Sequence, residues 1–182
     1  FTEFLDANAG AKAQIIDART HRGGGLEEMD ILFPRIFTKA QPVMVMDTRA
    51  SVAEAGGPLP FRSLVKVDAP AELARSEHRI TPASPQSPWA KTKIYYLTSG
   101  RTASAAEHLA SVFKHTKRAT LIGDFTAGAG HYGGSVGLAG VASTAKTAPG
   151  SVGIVAPWVS SQIQNGSKTS SPAAIVANSS ST

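Results

Sequence analysis

The clearest pattern of apolar and polar positions runs from residue 93 to residue 130. Residues 94–97 (Ile-Tyr-Tyr-Leu) are an apolar run rich in β-branched and aromatic side chains, which favours a buried strand. Ser99 and Gly100 end that run. From Ala105 the apolar positions recur with helical spacing, and residues 119–122 form a second apolar run that ends at Gly123. A strand, a helix and a strand with such short connections predict a parallel crossover unit.

Other apolar runs predict further elements before this unit. Residues 1–7 are typical of a helix end, 14–18 of a strand, 26–39 of an amphipathic helix and 42–47 of a strand. Residues 48–90 contain many prolines and show no sustained periodicity, which predicts surface loop with one short helix near 71–79. His78, within that segment, is interpreted as a surface residue. The order of elements indicates an α/β fold.

The composition excludes several classes of function. A chain of 182 residues without cysteine is long enough to bury a core without disulfides or a metal. The net charge is +5, yet no basic stripe occurs, so nucleic-acid binding is not expected. No apolar run approaches the roughly 20 residues that a membrane-spanning helix needs. Nothing in the sequence indicates a metal site or a cofactor.

Ser104 lies where the predicted strand gives way to the helix. Ser104 to Glu107 has the pattern of a capping box, in which the serine hydroxyl and the glutamate carboxylate each bond the other residue's backbone N–H. The same location suits catalysis, because free N–H groups at a helix N-terminus stabilise an oxyanion formed beside a serine. Spacing alone does not separate the structural interpretation from the chemical one.

A glycine-rich segment, residues 23–25, follows the strand predicted at 14–18. It is interpreted either as a flexible strand-to-helix turn or as a site where the backbone approaches another group closely. It lacks the spacing of both GxxxxGK[ST] and GxGxxG, so nucleotide binding is not predicted. His21, in the same loop, is interpreted as a solvated side chain.

Two motifs resemble the C-terminal-processing (tail-specific) serine peptidases. The first is YYLTSGRTASAAEHLA with the following KRATLIGDFTAGAG, residues 95–110 and 117–130. The second is IIDARTHRGGG, residues 15–25, which is similar to the Asp-Leu-Arg-Asn-x-x-Gly-Gly segment of that family. The likeness is greatest to the branch that includes the tricorn core peptidase and the interphotoreceptor retinoid-binding protein.

The resemblance implies a crotonase-like fold of layered strand–helix units for residues 1–139, an N-terminally incomplete catalytic core, with a divergent low-complexity tail at 140–182. It also implies a serine endopeptidase in which Ser104 is the nucleophile and the N–H groups of Gly23 or Gly24 and of Ala105 form the oxyanion hole. Peptide or protein substrates, the absence of a cofactor and an extracytoplasmic location follow from the same resemblance.

The sequence does not identify the general base that would take the proton of Ser104. Serine–lysine members carry a lysine where this chain has Ala129, so that dyad is excluded. The tricorn-like branch uses a histidine that would precede Phe1 and a glutamate near residues 161–164, where this chain has no acidic residue. Glu107 and His131 remain candidates for a base or an orienting group.

His108 and His115 are assigned to the outward-facing side of the helix. Two functions stay open: a serine endopeptidase acting as a fragment of a larger peptidase, and a catalytically inactive relative that keeps the fold and binds peptides or another ligand.

Overall fold

The computed structural model describes residues 1–56 and 61–129, in which helices and strands build two separate three-stranded sheets. Its elements, in chain order, are α1 (Thr2–Ala7), β1 (Ala13–Asp17), α2 (Glu27–Ile36), β2 (Gln41–Arg49), α3 (Ala50–Gly56), β3 (Leu64–Val67), β4 (Leu73–Ile80), a 3-10 helix (Pro88–Lys91), β5 (Lys93–Thr98), α4 (Ala105–Thr116) and β6 (Ala119–Gly123).

The first sheet is parallel and has the order β1-β5-β6. Tyr95 of β5 pairs with Ile15 of β1 on one side and with Thr120 of β6 on the other. The crossover β5-α4-β6 predicted from the apolar pattern is therefore confirmed. All three strands end at the same edge of the sheet, which brings the loops that follow them together.

The second sheet is antiparallel, with the order β2-β4-β3. It shows that the helix predicted near residues 71–79 is wrong, because that segment is the central strand, β4. Strand pairing on both sides outweighs the weak local helix preference of the segment. Asp47 of β2 accepts two hydrogen bonds from Arg75 of β4, at 2.6 and 2.7 Å, and the guanidinium lowers the pKa of that carboxyl.

The segment 48–90, predicted as surface loop, instead contains α3, β3, β4 and the 3-10 helix. The apolar pattern did not predict β3 and β4, because their partly exposed faces carry charged residues, such as Lys66 and Arg79, that interrupt it.

A single apolar core joins the two helices to both sheets. Its buried side chains include four from α2, six from α4, two from β2 and two from β5: Met29, Leu32, Phe33, Ile36, Ala105, Ala106, Leu109, Ala110, Val112, Phe113, Met44, Met46, Ile94 and Tyr96. Helix α4 thus packs with its apolar stripe inward, as the helical spacing predicts.

Arg118 links three segments beneath this core, and we expect its replacement by lysine to weaken the fold. Its guanidinium donates to the carbonyls of Ile36, Trp89 and Thr92 at 2.6, 2.6 and 2.9 Å. A lysine ammonium lacks the planar fork that reaches all three carbonyls, so Arg118→Lys should lower the free energy of unfolding by about 2–3 kcal/mol. Urea unfolding measures this, and Arg49→Lys, at an exposed position, serves as the control. An equal effect of both changes would contradict the linking role.

Candidate active site

Three loops meet at the carboxyl edge of the parallel sheet. They follow β1 (residues 18–26), β5 (99–104) and β6 (124–129). The N–H of Ala103 donates to the carbonyl of His21 at 3.0 Å, and the N–H of Ala127 donates to the carbonyl of Thr102 at 2.9 Å. The loop after β5 is therefore tied to the other two by backbone hydrogen bonds.

Thr102 is the fully buried residue that connects these loops. Its hydroxyl donates to the carbonyl of Ala18 at 2.8 Å and accepts from the N–H of Ser99 at 2.9 Å. Sequence reasoning did not identify this residue. The sequence feature that could have indicated it is the group of small hydroxyl residues in the turn after β5, because such side chains commonly form hydrogen bonds with backbone groups in turns.

Ser104 joins the loop after β5 to helix α4 with a strained backbone. Its φ of 55° and ψ of −120° lie in a region that serine rarely adopts. A sharp, strained turn from strand to helix is a geometry that exposes a nucleophilic side chain. The hydroxyl of Tyr96, on β5, donates to the carbonyl of Ala106 at 2.8 Å and so holds the first turn of α4 against the sheet. Burial raises the pKa of Tyr96.

The backbone of Gly23 lies directly against the Ser104 side chain. A Cβ added at Gly23 would be 2.5 Å from the Cβ and 3.0 Å from the Oγ of Ser104, and its φ is 105°. Only glycine allows this approach. Gly24 has a φ of 145°, and nothing lies within 4 Å of a Cβ added there.

The candidate oxyanion donors, the N–H groups of Gly23 and Ala105, differ in their hydrogen-bond acceptors. The N–H of Gly23 donates to Nδ1 of His21 at 3.2 Å. Ala105 is the first residue of α4, where backbone N–H groups have no intrahelical acceptor. The structure therefore brings Gly23, Ser104 and the start of α4 together, with the imidazole of His21 at one of the donors.

Glu107 is completely buried beneath the loop after β6. Its Oε2 accepts from the N–H groups of Ser104 and Ala129, each at 2.8 Å, and its Oε1 accepts from the N–H of Gly128 at 2.7 Å. Both carboxylate oxygens are thus engaged by backbone donors. These contacts favour the orienting alternative for Glu107 over the role of base.

Of the histidines that the structure describes, His21 and His115 are exposed, as the sequence suggested. His78, interpreted as a surface residue, and His108, assigned to the outward side of the helix, are both buried, at 0% and 2% exposure. Both predictions were wrong because α4 packs against the second sheet, where the ring of His108 meets that of His78 on β4. His131 lies outside the described residues.

Asp17 and Arg19 fix the start of the loop after β1. The carboxylate of Asp17 accepts from Nε and Nη2 of Arg19 at 2.9 and 2.7 Å, and from the Arg19 backbone N–H at 3.0 Å. The Arg19 guanidinium lowers the pKa of that carboxyl. The carbonyl of Arg19 accepts from the Ser99 hydroxyl at 2.6 Å, which joins this turn to the loop after β5.

Within residues 1–56 and 61–129, no group of three histidine, cysteine or acidic side chains could hold a metal ion. In that same part of the chain, no helix is both long and apolar enough to cross a bilayer.

Two solved structures are similar to this chain. One is the photosystem II D1 C-terminal processing protease, with 22% identity and a TM-score of 0.49, covering 76% of this chain and 29% of that one. The other is a protein from Parabacteroides merdae described as a peptidase, with 15% identity and a TM-score of 0.49, covering 74% of this chain and 38% of that one. The chain thus spans well under half of either protein.

No match was found among curated proteins. The sequence profile of peptidase family S41, in contrast, matches residues 1–148, which is most of the chain. This protein therefore belongs to peptidase family S41.

Proposed function

We propose that this chain carries the nucleophile of a serine endopeptidase, as part of a larger enzyme, and that Ser104 forms the acyl-enzyme. The observation that carries this proposal is the strained turn at Ser104, with the backbone of Gly23 packed against its side chain. Strain of about 1–3 kcal/mol persists in proteins mainly where function requires the conformation. Membership of a peptidase family supplies the class of reaction.

In the proposed reaction, Ser104 Oγ attacks the carbonyl carbon of the scissile peptide bond and loses its proton to a base. The N–H of Ala105 and that of Gly23 or Gly24 stabilise the negative oxygen. The C–N bond then breaks, the leaving amine takes the proton, and water hydrolyses the ester on Ser104. In this structure the Gly23 N–H donates a hydrogen bond to the imidazole of His21. The substrate oxygen must therefore displace that imidazole or accept from the N–H of Gly24 instead.

The base is proposed to come from outside the described residues. Ala129, which stands in the place of the lysine of serine–lysine members, contributes only its N–H to Glu107. His131 and the remainder of the larger enzyme are the available sources. Glu107 would hold the Ser104 turn in place without touching the substrate.

We further propose a crotonase-like arrangement for the catalytic core, residues 1–139, with residues 140–182 as a separate low-complexity tail. The mixed parallel and antiparallel sheets are compatible with this arrangement, while the tail lies outside the described residues. Peptide or protein substrates would bind extended, as an added strand. An extracytoplasmic location is proposed from the family resemblance.

A second candidate is an inactive relative that binds peptides or another ligand. The observation that favours it is that both oxygens of Glu107 accept from backbone donors while the lysine position is an alanine. Such a protein would bind extended peptides without cleaving them.

Labelling with a fluorophosphonate probe tests the proposal. We expect the parent chain to be labelled and both Ser104→Ala and Ser104→Gly to lose the label. Glycine tolerates a φ of 55°, so Ser104→Gly should also raise the free energy of unfolding by about 1 kcal/mol. Ser51→Ala, at an exposed serine of α3, should keep the label.

Two outcomes would count against catalysis at Ser104. Labelling that persists in Ser104→Ala would place the reactive group elsewhere. A parent chain that is folded by circular dichroism but unlabelled would show that this chain alone does not activate Ser104, which leaves the binding relative or a base supplied by the remainder of the larger enzyme.

A further inference from the structure

His78 and His108 form a buried pair outside the candidate active site. Nδ1 of His78, on β4, and Nε2 of His108, on α4, are 2.7 Å apart, and the ring centroids are 4.8 Å apart. Both side chains are buried almost completely. This hydrogen bond is a direct polar connection between α4 and the second sheet.

When both rings are neutral, the pair carries two protons on its four ring nitrogens. In either tautomer one ring donates the shared N–H and the other accepts it. The outer nitrogens, Nε2 of His78 and Nδ1 of His108, are buried without a hydrogen-bond partner among the described residues. An added proton would therefore place a charge in the core with no acceptor for the new N–H.

Helix α2 provides a negative charge that acts on His78. Asp30 acts on His78 through space, but its carboxylate oxygens accept from the backbone N–H groups of Arg62 and Ser63 at 3.0 and 3.1 Å. The ring of Phe33, from the same helix, lies 5.2 Å from that of His78. Phe33 and Asp30 also line a cavity of about 370 Å³, which neither histidine of the pair lines.

The charged groups next to the pair on β4 and α4 bond to groups other than the two histidines. Glu77 and Arg79 flank His78 in β4 and bond to each other, and alternate residues of a strand point to opposite faces. Glu107, beside His108, is held by backbone N–H groups of its own turn and of the loop after β6. Burial lowers the pKa of His78 to about 4 despite Asp30, and that of His108 to about 3.

The pair also lies close to the turn that carries Ser104. The N–H of His108 donates to the carbonyl of Ser104 at 3.0 Å, within the first turn of α4. A displacement of the His108 backbone away from the second sheet would therefore also displace the carbonyl of Ser104.

We propose that His78 and His108 form an acid-sensitive latch that holds α4, and with it the Ser104 turn, against the second sheet at neutral pH. Protonation of either ring weakens the latch, because the shared hydrogen bond then carries a buried charge and the new outer N–H has no acceptor among the described residues. The latch goes beyond the proposed peptidase function and holds whether or not Ser104 is catalytic.

The direction of the pH dependence follows from the lowered pKa values. Both histidines bind protons more weakly when folded than at their ordinary pKa of 6.5. Stability is therefore complete above about pH 6.5 and is lost progressively as the pH falls toward the folded pKa values. For each proton taken up on unfolding, the unfolding constant rises up to about tenfold per pH unit. Asp17 and Asp47, whose pKa values are lowered from 3.8, lose their contribution only in stronger acid.

Urea unfolding of the full chain between about pH 7.5 and about pH 5 tests the latch in the range of histidine titration. The parent should show the rise in the unfolding constant. The double variant His78→Phe/His108→Leu replaces both partners by apolar side chains and should abolish most of that rise. His115→Gln, at the exposed histidine of α4, should retain it. A folded double variant with the same pH dependence as the parent would overturn the proposal.

NMR of the imidazole nitrogens tests the latch without any substitution, which covers the case of a double variant that does not fold. In the folded parent, two histidines should remain neutral at about pH 5.5, well below their ordinary titration. If all the histidines titrate near pH 6.5 while the fold persists, there is no latch. Fluorophosphonate labelling reports separately on Ser104, so failure of the latch and failure of the proposed chemistry give different results.

Discussion

Replacing Glu107 with alanine is expected to lower the free energy of unfolding by about 3–5 kcal/mol. Its buried carboxylate accepts from the N–H groups of Ser104, Gly128 and Ala129, all within 2.8 Å. Without it, three backbone donors beneath the loop after β6 lose their acceptor, and the Ser104 turn loses the contact that holds its N–H. Urea unfolding measures the stability, and the fluorophosphonate probe measures whether the serine still reacts.

Glu27→Ala is the matched control for Glu107→Ala. Glu27 is an exposed glutamate in the first turn of α2, as Glu107 is a buried one in the first turn of α4. Its loss should change stability by no more than about 0.5 kcal/mol. A loss below about 1 kcal/mol for Glu107→Ala would mean that water replaces the carboxylate, and that Glu107 does not organise the site.

Replacing Gly23 with alanine is expected to cost about 2–4 kcal/mol and to abolish labelling of Ser104. The new Cβ would lie 2.5 Å from the Cβ of Ser104, and a φ of 105° is unfavourable for any residue with a side chain. The loop after β1 must then withdraw from the serine. Withdrawal would remove the backbone N–H groups proposed to stabilise the oxyanion.

Gly24→Ala separates the steric effect from the backbone strain. Gly24 has a φ of 145°, but nothing lies within 4 Å of a Cβ added there, so its substitution adds strain without a clash. We expect labelling to be reduced less in Gly24→Ala than in Gly23→Ala. Equal stability and equal labelling in the two variants would show that the contact between Gly23 and Ser104 has no functional consequence.

The parallel unit around Ser104 was predictable because its signals are local. The apolar run of β5, the helical spacing of α4 and the glycine that ends β6 each report on a few neighbouring residues. The same is true of the glycine-rich loop at residues 23–25. Its composition indicates that the backbone approaches another group closely, but not which group. That Gly23 approaches the side chain of Ser104 depends on β1 and β5 being neighbours.

The second sheet was missed because its strands are recognisable only through their partners. Leu73–Ile80 carries charges along its length and has the local features of a short helix, yet pairing with β2 and β3 makes it a central strand. The ion pair between Asp47 and Arg75 joins residues 28 positions apart, which no local pattern reports.

The sequence by itself determined the order of the elements around Ser104, the capping relation between Ser104 and Glu107, and membership of a peptidase family. Tertiary structure alone decided which polar side chains are buried. Glu107 became an acceptor for the N–H groups of Gly128 and Ala129 only when the loop after β6 closed over it, and His78 met His108 only when α4 packed against the second sheet. The physical reason is that burial and hydrogen-bond partners depend on chain segments distant in sequence, whereas helix and strand patterns depend on near neighbours.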